Sequence, residues 1–417
     1  MMQDAPDSAK AEWRRYGVVP IAAAIGYSTM AIQTYAIGPF VTPLEQEFGW
    51  SRAQVMIGLT ICNSLGVLLN FAVGMLADRL GPRRVALAGV VLNAGGIALL
   101  SSATGTLSNW MLLWGLVAVG RVPAQANVWA SAVASRFDKG RGLALAVMLS
   151  GSSFCAAIAP LLATGLIGAY GWRTAFAGLG TIWMLGAFPI VFLFFRGRQD
   201  EHRRLRSRDE RIADLADLPG VSVREGLRMG AFWRLLVAAF AYAFYTMAIS
   251  PSLVPLMAEK GESAASAARI AALMGVTGIV ARISAGFLLD HFSARKLGTA
   301  VFILPVVGCG LMLLDAPGYL VLILAVVSFG ITLGAEYDVV FYLVSRHFGL
   351  KAFASLMGVL LTAGALGGAV APVIAGWIHD RSGSYDPLLV FLMALMAAGA
   401  LAIATMGRPR QSWGASH

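Results

Sequence analysis

Hydrophobic positions in this chain come in long blocks, not in alternation. Apolar segments long enough to cross a bilayer run at roughly 17–41, 53–77, 85–102, 109–133, 142–167, 174–195, 231–256, 267–289, 297–314, 319–343, 353–377 and 387–406. The pattern therefore predicts twelve membrane-spanning helices joined by short polar connections. The segments are rich in Ala, Leu, Val and Gly and lack the short alternating repeat of an outer-membrane barrel. The eighth segment carries a charge. Its Gly275, Gly278, Arg282 and Gly286 fall at helical spacing and share one face. A charge near the centre of a membrane helix costs at least about 3 kcal/mol. A guanidinium on that glycine-lined face needs an anion or a water-filled space.

The blocks repeat at an offset of 212 residues. Gly74, Leu76, Asp78, Arg83 and Arg84 return as Gly286, Leu288, Asp290, Arg295 and Lys296. Pro39, Pro43, Leu44, Glu47 and Gly49 return as Pro251, Pro255, Leu256, Glu259 and Gly261, and Ala157 to Pro160 returns as Ala369 to Pro372. Three matches in one order at one offset indicate two six-helix halves of the same orientation, with a ligand site expected at their midplane interface. The expected division is an N-terminal bundle over 1–195, a linker over 196–228 and a C-terminal bundle over 229–417. The linker holds the one long polar stretch, with a basic run from Arg203 to Arg208.

Composition agrees with the pattern: 58% hydrophobic, 13% charged and mean hydropathy +0.72 define an all-α integral membrane protein. The net charge of +10 raises the question of nucleic acid, but its distribution answers otherwise. Of the 32 Lys and Arg, 25 fall at the N-terminus, in the even-to-odd connections and at the C-terminal end; 5 lie on the other side and 2 within helices. By the positive-inside rule both termini are expected in the cytoplasm, with the cell's inner (cytoplasmic) membrane as the expected location. Cys62, Cys155 and Cys309 are scattered through apolar segments without metal-ligand spacing, and read as small core residues. Met1 to Arg15 is polar and basic, and the apolar block after it is too long for a cleaved signal. No phosphate-binding loop is present, and the five histidines lie in predicted turns, loops or the tail. The sequence thus gives no sign of an enzyme, a cofactor, a metal site or an obligate protein partner.

The run Gly74-Met-Leu-Ala-Asp78-Arg79-Leu-Gly81-Pro82-Arg83-Arg84 resembles the signature loop of the major facilitator superfamily between helices 2 and 3. Gly74 permits close helix approach, Asp78 suits a nearby arginine or a helix N-terminus, and Gly81-Pro82 makes a tight turn. The resemblance implies a conformational latch formed by Gly74, Asp78, Arg79 and Arg83, with Asp290 and Arg295 in the second half. Pro43 to Arg52 (PLEQEFGWSR) and Arg136 to Ala144 (RFDKGRGLA) resemble stretches of monocarboxylate transporters and the related oxalate/formate antiporters. In that branch an arginine of helix 8 binds the substrate carboxylate, and Arg282 falls on this position. Two departures matter. Gly278 stands where the animal transporters carry an aspartate, and helix 11 has no internal cation to match the antiporters' lysine. The first removes the usual proton site. The second argues against a dicarboxylate gripped in the antiporters' manner.

Helix 10 offers replacements. Glu336 and Asp338 lie at a depth comparable with Arg282, and residues two apart point to nearly opposite faces. One acid is expected to face the cavity and switch between a protonated state and a salt bridge with Arg282; the alternative is a fixed structural pair. Arg121, near the middle of helix 4, is either a second substrate contact or a partner for those acids. Asn70, 212 residues before Arg282, and Asn63 read either as substrate contacts or as helix-to-helix hydrogen bonds. Gln33, Tyr35 and Tyr27 of helix 1, Tyr242 and Tyr245 of helix 7, and Tyr337 and Tyr342 of helix 10 are further cavity candidates.

Together these residues predict a secondary transporter taking a small organic monocarboxylate, aliphatic or aromatic, across a lipid bilayer. Arg282 would hold the carboxylate, and a proton would travel with it. The rivals are an organic anion exchanger and an exporter of amphipathic compounds.

Overall fold

The structure, a computed structural model, describes residues 8–137, 140–197, 220–349 and 353–407; the side chains at 66–68, 70–72, 74, 75, 78, 79, 286, 290, 353 and 354 lie outside the description. Among the described residues the chain is helical, with one isolated backbone bridge between Gly220 and Gly349. Helix 2 spans Arg52–Leu80, helix 3 Pro82–Leu99, helix 7 Gly230–Glu259 and helix 8 Ala264–His291. Helices 9 to 12 span Ala294–Met312, Tyr319–Phe348, Phe353–Ser382 and Asp386–Ala404.

Two spans are interrupted and two others run together. Helix 1 is assembled from Val18–Ser28, Ile32–Ala36 and Val41–Phe48, with tighter turns at Thr29–Ala31 and Gly38–Phe40. Helix 4, expected as one segment, is divided into Leu107–Arg121 and Ala126–Arg136 by a turn at Val122–Ala124. Pro123 there supplies no backbone N–H, and Gln125 is extended before the helix restarts. Helices 5 and 6, expected with a polar connection between them, form one run, Arg141–Phe194, broken only at Gly171. Its φ of +78° lies in the left-handed region that glycine enters without strain, so a single residue turns the chain back. The end of the expected linker is also structured. Val223–Arg228 is a short helix capped by Ser222 and Glu225, and Val221 N donates to Phe348 O at 2.9 Å.

Eight of these runs are individually long and apolar enough to cross a membrane, counting helices 5 and 6 once. With the divided spans restored, the chain is a twelve-helix integral membrane protein in two six-helix bundles. The start of helix 1 and the end of helix 12 therefore lie at one face, here called the terminal face. The bundles meet along helices 2 and 11, 5 and 8, and 1 and 7. Small residues permit the approach. A Cβ on Gly376 would lie 2.7 Å from Ala53 N, and one on Gly38 would lie 2.8 Å from Pro251 O.

At the face away from the termini the bundles are tied by charge. Arg52, first residue of helix 2, donates through Nε to Glu45 Oε1 at 3.0 Å in its own bundle. Its Nη1 donates to Glu259 Oε1 of helix 7 at 2.7 Å. The same Glu259 oxygen lies 2.6 Å from His379 Nε2 of helix 11. Asp380 of helix 11 accepts from the backbone N–H groups of Arg52 and Ala53 at 2.9 and 3.0 Å. A helix N-terminus carries unsatisfied donors and partial positive charge, so a carboxylate seated there is favoured. Helix 2 is thus capped twice, by its own Ser51 and by an acid of the other bundle. Nearer the midplane Asn63 of helix 2 donates to Gly368 O of helix 11 at 3.0 Å. The inter-bundle hydrogen bonds of Arg52, Ala53 and Asn63 all lie between this level and the non-terminal face.

Arg52→Ala removes the cation between Glu45 and Glu259, and charge-assisted contacts of this kind are worth about 1.5–3 kcal/mol each. With spin labels at the exposed positions Gln46 and Ala264, the variant is expected to gain a longer-distance population absent from the parent. An unchanged distance distribution would show that Arg52 does not hold the faces together.

Candidate functional site

Helices 8 and 10 pack closely enough to fix the central arginine. A Cβ on Gly334 would collide with the Gly278 carbonyl oxygen and lie 2.9 Å from Arg282 N. Gly275 meets the backbone of Ser153, Ala156 and Ala157 in helix 5, and Gly278 faces both Ser153 and Gly330. The glycine face foreseen around Arg282 is therefore a packing face, shared between helix 10 of its own bundle and helix 5 of the other. It leaves the arginine one turn beyond, where that packing ends.

Arg282 is 4% exposed. Its Nη2 donates to Leu333 O of helix 10 at 3.2 Å, while Nε and Nη1 have no partner among the described residues. Tyr242 of helix 7 donates to the same carbonyl at 3.4 Å. Glu336, one turn along helix 10, is 2% exposed, and its Oε2 is also unpartnered. Asp338 is partly buried, with Oδ2 unpartnered. No ion pair within 4.0 Å joins Arg282 to either acid among the described residues, although both acids lie within Coulombic reach of it. A buried cation and a buried acid share one neighbourhood without closing on one another.

Tyr337 identifies the space between them. It packs edge-on against Tyr242 at 5.5 Å and lies within Coulombic reach of Tyr27 in the other bundle, yet it is 39% exposed. Tyr35 and Gln33 are buried in helix 1. Tyr35 lies within Coulombic reach of Arg282 and Tyr337. Gln33 turns away into its own bundle, donating to Met30 O at 2.7 Å and accepting from Asn93 at 3.5 Å. Tyr245 is enclosed against Phe329, and Tyr342 is partly buried.

Arg121 ends the first half of helix 4, where a cation suits the helix C-terminus. It donates through Nη1 to Asn63 Oδ1 at 3.0 Å and to Cys62 O at 3.4 Å; no ion pair within 4.0 Å joins it to Glu336 or Asp338 among the described residues. The side chains of Asn70, Asp78, Arg79 and Asp290 lie outside the described residues, as does the packing of Gly74. Arg83 and Arg295 bond within their own bundles: Arg83 Nη2 donates to Phe192 O, and Arg295 Nη1 to Met406 O at 3.2 Å. The sequence reading missed the Arg52 cluster, although the recurrence of Glu47 as Glu259 marked it. Glu47 binds Arg173 at 2.7 Å at the equivalent place. His379, assigned to a turn without a partner, contacts Glu259.

Two pseudo-equivalent bundles, broken spans in helices 1 and 4 and buried charges where the bundles meet are the architecture of a secondary transporter. A profile of the Major Facilitator Superfamily matches residues 23–372. The chain belongs to that superfamily. It is similar to monocarboxylate transporter 13 of Rattus norvegicus, 24% identical over 88% of this chain and 82% of that protein. It is also similar to the 4-hydroxybenzoate transporter PcaK of Acinetobacter baylyi, 22% identical over 89% of this chain and 87% of that one. Among solved structures, a bacterial homologue of the human lysosomal transporter Spinster, in an inward-facing and occupied conformation, superposes with a TM-score of 0.67. That match is 18% identical and covers 94% of this chain and 93% of the other.

Gly334→Ala is expected to wedge helix 10 away from helix 8. Overpacking of this kind costs about 1–3 kcal/mol, so the unfolding temperature in detergent should fall by several degrees. Gly168→Ala, where nothing lies within 4 Å of the added methyl, is the control and should leave it unchanged. Equal unfolding temperatures for the two variants would contradict the tight packing at Gly334.

Proposed function

We propose that this protein is a proton-coupled transporter of small organic monocarboxylates, and that Arg282 binds the carboxylate. The observation carrying the proposal is a 4% exposed guanidinium with two unpartnered donor nitrogens beside an equally unpartnered buried acid. A guanidinium presents paired donors that match a carboxylate's two oxygens. The names of two relatives, a monocarboxylate transporter and a 4-hydroxybenzoate transporter, support carboxylic acids as the cargo and leave room for an aromatic one.

Glu336 is the proposed proton carrier, ahead of Asp338, because it is the more fully buried of the two. In the empty site Glu336 is the counter-ion of Arg282 across the cavity. An arriving carboxylate takes the guanidinium, and two carboxylates cannot share one cation in a dry site without a proton. Glu336 therefore takes up a proton as substrate binds. The proton also removes the electrical penalty of carrying an anion into a negatively charged cell, about 2.3 kcal/mol per charge per 100 mV. With the termini in the cytoplasm, the cavity beside Tyr337 opens inward and the Arg52 cluster is the outer closure. Rocking of the bundles would exchange the two openings. The latch residues Gly74, Asp78, Arg79, Arg83, Asp290 and Arg295 belong to the inner closure of the opposite state.

In proteoliposomes, Arg282→Lys is expected to lower carboxylate uptake at least about tenfold, since an ammonium cannot reproduce the bidentate contact. Unchanged affinity and rate would remove Arg282 from the site. Glu336→Gln should retain exchange of labelled for unlabelled acid yet no longer accumulate acid when a pH gradient is imposed. Accumulation at the parental level would rule out Glu336 as the proton carrier, and parental exchange insensitive to any pH gradient would favour an anion exchanger.

A further inference from the structure

The two intramembrane arginines are related by the internal repeat in a way that neither position shows alone. Arg121 plus the 212-residue offset is Leu333, the residue whose carbonyl receives Arg282. Parallel repeats are related by an axis along the membrane normal, so equivalent residues share a depth. Arg282 lies on helix 8 but reaches towards the start of that helix, as long helical side chains do, and its guanidinium is level with Leu333. Arg121 starts at the equivalent level on helix 4. The Arg121 side chain reaches back along its own helix as well, so its guanidinium lies about one turn nearer the non-terminal face; the two groups stand on opposite bundles at neighbouring depths, one anchored on a carbonyl of helix 10 and the other on a carbonyl of helix 2.

Both keep unsatisfied donors. Arg121 has an unpartnered Nε and lies within 4.0 Å of no acid among the described residues. It is only partly buried, and Tyr27 of helix 1 lies within Coulombic reach of both arginines. Asn63 steadies the near side of Arg121 with its oxygen while its amide group holds Gly368 of helix 11. A cation held by neutral partners alone is unneutralised, and a buried charge without a counter-ion or strong acceptors is costly.

Resting on the carboxylate reading of Arg282, we propose that Arg121 forms a second subsite and that the preferred substrate carries a further oxygen acceptor at the end remote from its carboxylate. Hydroxy and oxo acids are the class in question. Arg282 takes the carboxylate, and Arg121, oriented by Asn63, donates to the distal oxygen. One molecule then touches both bundles, and Tyr27 and Tyr337 flank its body.

The test compares uptake of matched acids in proteoliposomes: pentanoate against 4-oxopentanoate, and phenylacetate against 4-hydroxyphenylacetate. The parent protein is expected to take the acceptor-bearing member of each pair with a half-saturation concentration about tenfold lower. Arg121→Gln should bring that ratio close to one by weakening the acceptor-bearing acid more than the plain one, and Arg121→Lys should restore part of the preference. Arg282→Lys should weaken both members of each pair alike, which separates failure of the carboxylate reading from failure of this one. No preference in the parent, or a preference that survives Arg121→Gln, would overturn the subsite. Loss of both members in a variant that keeps its unfolding temperature would also overturn it, placing Arg121 in the transport machinery generally.

Discussion

A guanidinium in the middle of a membrane protein has to be justified by something, and here the backbone does part of it. Arg282 gives one nitrogen to Leu333 O and keeps two unspent. The helix that provides this carbonyl can come so close only because Gly330 and Gly334 face Gly278 and its neighbours. A side chain at any of them would move the carbonyl away and leave the charge with nothing.

The same economy explains why Gly278 carries no charge. A Cβ there would lie 3.1 Å from Ser153 Oγ of the opposing bundle and 3.4 Å from the Gly330 carbonyl oxygen, so an aspartate would press on a close inter-bundle contact. On helix 10, Glu336 is buried without being pinned to the arginine. Separation matters for a carrier. A pair locked in one geometry would store the charge and never release it, whereas two groups within Coulombic reach but out of contact respond to whatever enters between them.

Much of this was legible in the sequence. Twelve spans follow from block hydrophobicity, the two bundles from the 212-residue repeat, and the place of Arg282 from its position among small residues in helix 8. The breaks were less legible. Pro123 and Gly171 are ordinary residues of transporter helices, and nothing in hydropathy distinguishes a glycine that turns the chain from one that only lets a neighbour approach. The partners of Arg121 were hidden for a different reason. Asn63 and Cys62 belong to another helix at the same depth, and spacing along one helix does not reveal which face a second presents to it. The cluster at the non-terminal face was spelled out as charges near helix ends, but Arg52, Glu259 and the His379–Asp380 pair come from three distant stretches of the sequence and meet only once the bundles close.

The carboxylate of Asp380 carries an implication of its own. It completes the first turn of helix 2 from across the interface, so that turn is fully bonded in one state of the protein only. Each time the bundles part at this face, the amides of Arg52 and Ala53 must pass to water, and each time they meet the water must leave. The opening motion is thereby tied to the hydration of two peptide groups. Exchange of those two amide hydrogens with solvent becomes a clock that counts excursions of the transporter, running in the unlabelled, unmodified chain.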